Sequence, residues 1–158
     1  MKKKISKRKN RCRGHLLIAP NPLLQALCHE VKPDIPKSYL TGVIRELHHV
    51  LTQHKNGIGL AANQIGILYR IIIIKSNNNF RTFINPDIIA TGTVMTVNQE
   101  GCLSYPGVFR KIKRFEEIEV SYCDENFQQY TEWFSELESI IVQHEIDHLN
   151  GKCLVGER

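Results

Sequence analysis

The sequence predicts an α+β domain, with one helix before a β-rich middle and a second helix near the end. Two observations support this prediction. Apolar residues recur at helical spacing in residues 37–57 and 136–150, and the residues between form short runs typical of strands. The 158 residues suit one domain and are too few for two ordinary ones. We therefore expect helices and sheets to share one core.

The first predicted helix follows an irregular segment. Four prolines interrupt residues 15–36, so we expect this segment to lie on the surface without regular structure. From Lys37 onwards, six apolar residues fit one helical face: Leu40, Val43, Ile44, Leu47, Val50 and Leu51. Asn56-Gly57 is a common C-terminal stop, which predicts the end of this helix.

The middle of the chain is predicted to be β-rich. Strands are expected near residues 67–75, 80–85, 88–97, 117–123 and 128–134, where β-branched and aromatic residues are frequent. The polar stretches KSNNNF and DENF each separate two of these strands, and both are typical of hairpin turns.

The last predicted helix begins after Ser135. Ser135 and Glu138 have the spacing of a capping box, in which each side chain binds a main-chain amide at the helix start. The helical pattern continues to about Asn150, and Gly151 is the expected C-terminal cap.

Positive charge is concentrated at the start of the chain. Residues 1–13 contain eight Lys or Arg and no acid, whereas the rest contains 13 basic and 16 acidic residues, a net charge of −3. We interpret residues 1–13 as a basic, disordered tail and residues 14–158 as one domain. The tail is either a solvated leader or a contact for nucleic acid or a ribosome. A transit peptide fits less well, because the charges are consecutive instead of lying on one helical face.

Neither a membrane protein nor a disulfide-bonded one is expected. The strongest apolar run, RIIIIK, has the length of a buried strand and is far too short to span a membrane. Five cysteines form no CxxC pair, and an odd count without a signal peptide favours reduced thiols in a cytosol-like compartment.

The stretch QHEIDHLNG carries the clearest chemical pattern. His144 and His148 are four positions apart, so on a helix they point to the same side and can bind one metal ion. Glu145 is rotated by about 100° from His144. That position suits a general base acting on a water molecule better than a third ligand, as in the HExxH motif.

The alternative for this stretch is a polar terminal helix without a metal. Leu137 and Ile141 share the face of the two histidines, which predicts that this face packs against the apolar core. Two unpaired histidines buried there would be costly to desolvate, and a bound metal would offset that cost. The pattern therefore favours the metal site.

A catalytic metal needs a third protein ligand and an open position. The stretch QEGCLSYPG offers Cys102, which follows Gly101 and precedes a turn-like YPG. A thiolate is a strong ligand for zinc or iron. On composition alone, Cys102 reads as an ordinary buried thiol. Five other histidines compete as ligands: His15, His29, His48, His49 and His54.

Three stretches together resemble the motifs of the peptide deformylase family, in the same order: GIGLAANQIG, EGCLS and QHEIDHLNG. The resemblance covers the chain from about Leu16 to its end. It implies mixed or antiparallel β-sheets around a central C-terminal helix that carries the HExxH motif, plus one N-terminal helix. Residues 14–158 are thus identified as a single peptide deformylase-like catalytic domain.

The resemblance also implies roles for individual residues. The expected metal ligands are Cys102, His144 and His148. A water or hydroxide would occupy the fourth position. Glu145 resembles the catalytic acid/base. The Gln64 side chain and the Leu103 main-chain N–H are similar to two donors that stabilise an oxyanion.

The substrate would lie beside these groups. Gly59 and Gly101 are expected to pair with its backbone as an added strand. A pocket for the methionine side chain is expected from Ile58, Leu137, Ile140, Ile141 and the His144 ring. The apolar residues of this set are equally compatible with plain core, and Gln64 alone with a turn. Asp147 is expected either to pair with Arg114 or to be a solvated helix charge.

The implied activity is removal of the formyl group from N-formylmethionine at the N-terminus of nascent polypeptides. One divalent metal ion per chain is expected, Fe²⁺ in the native enzyme and Zn²⁺, Ni²⁺ or Co²⁺ as isolated. The expected partners are N-formylmethionyl peptides, with ribosome contact through the basic tail, and we expect a cytoplasmic monomer. Because the sequence ends soon after its last motif, it resembles short, bacteriophage-encoded members that lack a further C-terminal helix.

Two other functions remain open at this level. A zinc metallopeptidase also uses HExxH, but such enzymes usually take the third ligand from His or Glu, which disfavours it beside Cys102. An RNA-binding protein with a structural metal would need four protein ligands, and the sequence shows no evident fourth.

Overall fold

The structure is a computed structural model that describes residues 14–77 and 79–154. The predicted basic tail, residues 1–13, lies outside the described residues. Two helices and seven strands follow one another along the described chain: α1 (Lys37–Gln53), β1 (Gly59–Ala61), β2 (Ile71–Ser76), β3 (Asn79–Thr91), β4 (Val94–Cys102), β5 (Tyr105–Phe115), β6 (Glu117–Cys123), β7 (Gln129–Ser135) and α2 (Glu136–Leu149). No helix in the described part is long and apolar enough to cross a membrane.

The core is built on both faces of a five-stranded antiparallel sheet. The strand order is β1-β2-β3-β6-β7, and β4 and β5 form a separate two-stranded sheet. Strand β2 explains the apolar run RIIIIK. Ile72 and Ile74 face the cluster that includes α2, while Ile71 and Ile73 face the cluster that includes α1. Because both faces are covered, all four isoleucines are buried, and the predicted α+β fold is confirmed.

Helix α2 lies between the two sheets. Val142 and Leu149 pack into the core of the five-stranded sheet. On the other side, the Gln143 side chain binds β5, accepting from the Phe115 amide at 2.9 Å and donating to the Phe115 carbonyl at 2.8 Å. The prediction of a central C-terminal helix is therefore confirmed.

The ends of α2 test the predicted caps. Gly151 has a φ of 70°, so the predicted C-terminal glycine cap is confirmed. Ser135 is the N-cap residue, but its side chain makes no capping hydrogen bond, and the predicted capping box is wrong. The Glu138 carboxylate instead accepts a hydrogen bond from the Ser76 hydroxyl on β2. Glu138 therefore binds a residue on a distant strand instead of the main chain at the start of its own helix.

Helix α1 ends earlier than predicted. It ends at Gln53, before Asn56-Gly57, and a turn follows in which the Gly57 amide donates to the His54 carbonyl at 2.9 Å. Gly57 is needed for close packing, since a β-carbon there would lie 2.7 Å from the Leu51 side chain.

The strands were predicted only in part. The hairpins β2–β3 and β6–β7 are confirmed, and the Asp124 side chain accepts two main-chain amides in the second turn. The predicted strand 88–97 is wrong, because the chain turns after Thr91 and begins β4 at Val94. Strand β5 and the short β1 were missed. The polar and basic residues of β5 hide its alternation, since this two-stranded sheet is exposed over much of its surface.

Candidate metal centre

Three side chains from two distant parts of the chain meet beside α2. His144 and His148 lie one turn apart on the helix, with ring centroids 5.0 Å from each other. Cys102 reaches them from the end of β4, and its Sγ lies 3.2 Å from His148 Nε2. One ligand atom from each residue lies within 4.8 Å of the other two. This is the trio expected from the sequence.

A buried carboxylate orients one of the histidines. Glu100 Oε1 lies 2.6 Å from His144 Nδ1, which leaves Nε2 as the ring nitrogen available to a metal. Glu100 and Cys102 are two positions apart on β4, so both side chains can face α2.

Arg114 holds Glu100 from the other side. Its guanidinium donates to the two carboxylate oxygens of Glu100 at 2.9 and 2.5 Å, and to Asp147 at 2.5 Å. Of the two alternatives left open for Asp147, the pairing with Arg114 is therefore the one that the structure shows. Arg114 belongs to β5 and Asp147 to α2, so this network fixes the small sheet against the helix that carries the histidines.

Burial and hydrogen bonds set the charge state of each group in this network. Burial alone would raise the pKa of Glu100, but hydrogen bonds from Arg114 and His144 outweigh it and hold that pKa at about 2. Burial and the neighbouring His144 lower the pKa of His148 to about 3. Glu100 is therefore anionic and His148 neutral at physiological pH. Burial alone would lower the pKa of His144, but hydrogen bonds with Cys102 and Glu100 outweigh it and raise that pKa to about 10. His144 must therefore lose a proton when it binds a metal, because a metal ligand requires a neutral imidazole.

Glu145 directly follows the ligand His144 on α2 and does not belong to the ligand cluster. It is 4 % exposed, and its Oε2 has no hydrogen-bond partner among the described residues. Burial raises the pKa of Glu145 to about 7. Gly59 makes room for it, since a β-carbon at Gly59 would overlap the Glu145 carboxylate and lie 2.8 Å from Ile141. A carboxyl group with this pKa can both accept and donate a proton near neutrality.

Gln64 lies in a short 3₁₀ turn that follows β1. Its Oε1 accepts a hydrogen bond from the Ala61 amide at 2.9 Å, which fixes the side-chain amide. Its Nε2 donates to Ser104 Oγ at 3.0 Å and lies 3.6 Å from Cys102 Sγ. The donor end of Gln64 therefore lies near the cysteine, at the position where the family resemblance predicts an oxyanion donor. Leu103 follows Cys102 in the turn between β4 and β5.

The expected substrate residues are only partly brought together. Ile141 is buried beside Gly59, and Ile140 is partly buried. Leu137 is 58 % exposed and Ile58 is 43 % exposed. Leu137 therefore lies outside the apolar core, contrary to the prediction that its face is buried, because α2 begins at the surface. Gly101 lies on the small sheet, against the Phe109 ring.

Two residues of the site were not assigned from the sequence. Glu100 stood within the quoted EGCLS motif, and its spacing of two from Cys102 was a usable signal. Ser104, the last residue of the same motif, is buried and accepts from Gln64, but its residue type and position alone match an ordinary turn serine. The five competing histidines do not belong to the cluster found among the described residues.

The donor set fits a divalent cation. One cysteine sulfur and two imidazoles each offer a ligand atom within 4.8 Å of the other two, and the residue after His144, Glu145, has a buried oxygen without a partner among the described residues. Three protein ligands leave a coordination position open, as in catalytic sites.

Known proteins with similar sequences belong to one family. A sequence model of the polypeptide deformylase family matches residues 14–157. The peptide deformylase of Karelsulcia muelleri is 40 % identical over 147 residues, which are 89 % of this chain and 75 % of that protein. The peptide deformylase of Borreliella burgdorferi is 34 % identical over 144 residues, 89 % of this chain and 84 % of that protein.

Solved structures show the same similarity. The crystal structure of a class I type b peptide deformylase from Acinetobacter baumannii, with Met-Ala-Ser bound, superposes with a TM-score of 0.82 at 27 % identity. The superposition covers 89 % of this chain and 95 % of that one. With a matching family model, related sequences and a shared fold, the chain belongs to the peptide deformylase family of metal-dependent hydrolases.

Proposed function

We propose that this chain removes the formyl group from N-formylmethionyl peptides at a metal ion held by Cys102, His144 and His148. The observation that carries the proposal is the convergence of these three ligands, with the amide of Gln64 3.6 Å from Cys102 Sγ and the buried carboxylate of Glu145 on the residue after His144. Formamide hydrolysis needs an activated water, a polarised carbonyl and a proton for the leaving amine. When bound, a divalent cation supplies charge that acidifies water and polarises the carbonyl.

Glu145 is assigned the proton transfers. With a pKa of about 7, its carboxylate takes a proton from the attacking water and its acid form gives one to the departing nitrogen. The position of Glu145 supports this assignment, because the carboxylate is buried and has an oxygen without a partner among the described residues.

Gln64 is assigned the stabilisation of negative charge on the formyl oxygen. Its amide is held by Ala61, so the Nε2 donor is oriented before substrate binds. We assign the second donor to the Leu103 main-chain N–H, because Leu103 directly follows the ligand Cys102. The negative charge that develops on the formyl oxygen would then be stabilised by these two N–H donors together with the bound cation.

The substrate backbone is assigned to the outer edge of β1. Strand β1 is the last strand of its sheet, so one side of its main chain has no partner strand among residues 14–77 and 79–154. A peptide can add there as a further strand, with Gly59 on one side and Gly101 on the other. Ile58, Leu137, Ile140 and Ile141 would then contact the methionine, and the exposed Ile58 and Leu137 would become covered on binding.

We propose Fe²⁺ as the native metal and Zn²⁺, Ni²⁺ or Co²⁺ as metals found after isolation in air. A thiolate with two imidazoles accepts all of these ions. Protein purified without oxygen should contain iron and lose activity in air, because the ferrous ion or the thiolate oxidises. If iron were absent from active, anaerobically purified protein, the assignment of the native metal would be wrong.

Because the proposed substrates are nascent chains, we propose that the enzyme works in the cytoplasm, next to the ribosome. We propose that it acts there as a monomer and that residues 1–13 form a basic tail that contacts ribosomal RNA. The similarity to short, bacteriophage-encoded members stays a prediction.

One assay tests the function against its rivals. Release of formate from formyl-Met-Ala-Ser, by protein prepared without oxygen, is expected from a deformylase. A metallopeptidase would instead cleave the peptide chain, and a structural metal site would do neither. Glu145→Gln should lower the rate by about 10²–10⁴-fold and keep the metal. Loss of metal from this variant, with activity restored by added metal, would contradict the role of Glu145.

A further inference from the structure

Asn63 is a buried amide that takes no part in the proposed reaction. It precedes Gln64 in the 3₁₀ turn (Ala62–Ile65) and is 0 % exposed. Its Nδ2 donates to the main-chain carbonyl of His148 at 2.7 Å and lies 3.4 Å from the Leu24 carbonyl. Because both neighbours are acceptors, the NH₂ end of the amide must face them. Asn63 therefore joins the residue before the oxyanion donor to the main chain of a metal ligand.

The stability of the fold alone does not explain this amide. Asn63 Oδ1 is buried and has no hydrogen-bond partner among the described residues. A buried acceptor without a partner lowers the stability of the folded state, and an apolar side chain of similar size would avoid that cost. The reason for an asparagine at this position is therefore what its donor end holds.

The end of α2 is held in place by other contacts as well. The His148 carbonyl also accepts from the Gly151 amide at 3.1 Å, and the Leu149 carbonyl accepts from the Cys28 amide at 2.9 Å. The Leu149 side chain is buried in the core of the large sheet. Without the bond from Asn63, His148 would therefore keep its position.

The 3₁₀ turn has fewer links to that helix. The Gln64 side chain donates to Ser104 Oγ at 3.0 Å, in the turn between β4 and β5, and the Gln64 carbonyl accepts from the Leu17 amide at 2.7 Å. Neither partner belongs to α2. Within residues 14–77 and 79–154, the bond from Asn63 to His148 is the only hydrogen bond between this turn and α2. Loss of this bond would therefore let the turn, with Gln64, shift relative to the histidines.

We propose that Asn63 is a positioning residue that sets the distance between the Gln64 donor and the histidine side of the metal site. This inference rests on the proposed function and deepens it. The formyl oxygen must meet Gln64 Nε2 and the cation at the same time, so a small shift of the turn weakens the hydrogen bond to the developing charge. That bond is strongest in the transition state, so the loss of Asn63 lowers kcat and leaves KM nearly unchanged.

The first test compares kcat and KM for formate release from formyl-Met-Ala-Ser by the wild-type chain, Asn63→Ala and Asn63→Val. All three proteins are prepared without oxygen, and their metal content is measured. Both variants should keep the metal, lose about tenfold in kcat and change KM by less than about twofold. Asn63→Val fills more of the space that Asn63 occupies, so it stays folded where Asn63→Ala leaves a cavity.

A double-mutant cycle tests whether Asn63 acts through Gln64. Gln64→Ala alone should lower kcat by about 10²–10³-fold, the usual effect of removing one oxyanion donor. Adding Asn63→Ala should lower kcat by less than about twofold more, because the donor that Asn63 positions is already gone. Two reductions that multiply in full would show that Asn63 acts independently of Gln64, and would overturn the inference.

Asn85→Ala is the matched control. The Asn85 side chain also binds the main chain of a distant segment, accepting from the Val31 amide and donating to the Val31 carbonyl, both at 2.8 Å. Asn85 has a φ of 51°, so alanine is strained there and the variant should melt at a lower temperature. Its kcat should nevertheless equal that of the wild-type chain.

Two further outcomes would overturn the inference. One is wild-type kcat in a folded Asn63 variant, and the other is an equal loss of kcat in Asn85→Ala, which would mean that kcat follows stability. If the wild-type chain released no formate, the proposed function itself would fail, which is a distinguishable result.

Discussion

At the scale of single residues, Glu100 determines which ring nitrogen of His144 can bind a metal ion. It accepts from Arg114 with both oxygens and contacts His144 Nδ1, so the imidazole can bind metal only through Nε2. Glu100→Gln keeps the shape but removes the anionic partner of the ring. We expect metal affinity to fall by about 10–100-fold, measured by competition with a chelator.

Asp147→Asn is the control for this prediction. Asp147 also pairs with Arg114, but it does not contact His144 in the described structure, and it is more exposed than Glu100. Asp147→Asn should therefore lower metal affinity much less than Glu100→Gln does. Equal metal affinity in Glu100→Gln and the wild-type chain would show that Glu100 serves only the packing of β4.

At the scale of elements, β1 and α2 approach each other through Gly59. A β-carbon there would overlap the Glu145 carboxylate and lie 2.8 Å from Ile141. Gly59→Ala must therefore displace Glu145 or separate the strand from the helix, at a cost of about 1–3 kcal/mol in the free energy of unfolding. Formate release should fall by at least about tenfold, because the acid/base moves.

The control for Gly59→Ala is a glycine with free space around it. A β-carbon at Gly42 on α1 would meet no atom within 4 Å, so Gly42→Ala should keep activity and unfold no more easily than the wild type. Full activity in Gly59→Ala would contradict the close contact between β1 and Glu145.

Strands β3, β6 and β7 are joined by a polar cluster on the α2 face of the large sheet. Arg81 binds Glu132 at 2.9 Å and lies over the Phe83 and Phe134 rings, 5.3 and 5.0 Å from their centroids. Tyr122 donates to Glu132 at 2.5 Å. Burial raises the pKa of Glu132, but these hydrogen bonds outweigh it, so the pKa of this carboxyl lies below its ordinary value of 4.5.

The sign of this shift predicts a pH dependence. A carboxyl whose pKa is lowered in the folded state stabilises the protein above its ordinary pKa, and the benefit is lost as pH falls through the folded value. Glu132→Gln should therefore lower the free energy of unfolding by about 0.5–1 kcal/mol at pH 7. Urea unfolding at pH 7 and at about pH 3 should show a smaller difference between the two proteins in acid. An equal difference at both pH values would contradict the ion pair.

At the scale of the whole molecule, charge is divided between tail and domain. Residues 1–13 carry eight cations, while the remaining residues have a net charge of −3. If the tail neutralises RNA phosphates, deleting residues 1–13 should abolish co-sedimentation with ribosomes at low salt, and the wild-type interaction should weaken steeply as salt rises. Turnover of a short formyl-peptide should stay the same. Equal co-sedimentation with and without residues 1–13 would contradict RNA binding by the tail, which would then be only a solvated leader.

Local sequence patterns by themselves determined the helices and the histidine pair. His144 and His148 needed no tertiary information to be placed on one side of α2, because a helix repeats every 3.6 residues. Both predicted hairpins form, since polar turn residues separate apolar runs there. The motif around Cys102 became a ligand prediction only through its resemblance to a family, because one cysteine has many ordinary explanations.

Only the tertiary structure decided how distant segments meet. Cys102 approaches His148 across 46 sequence positions, and Arg114 joins Glu100 to Asp147 across two elements. Glu138 was predicted to cap α2, but its carboxylate instead accepts a hydrogen bond from Ser76, 62 positions away. Exposed strand β5 has no buried face along most of its length, so its periodicity was too weak to predict. Periodicity reports which side of an element is buried, whereas the partner on that side depends on the packing of the whole chain.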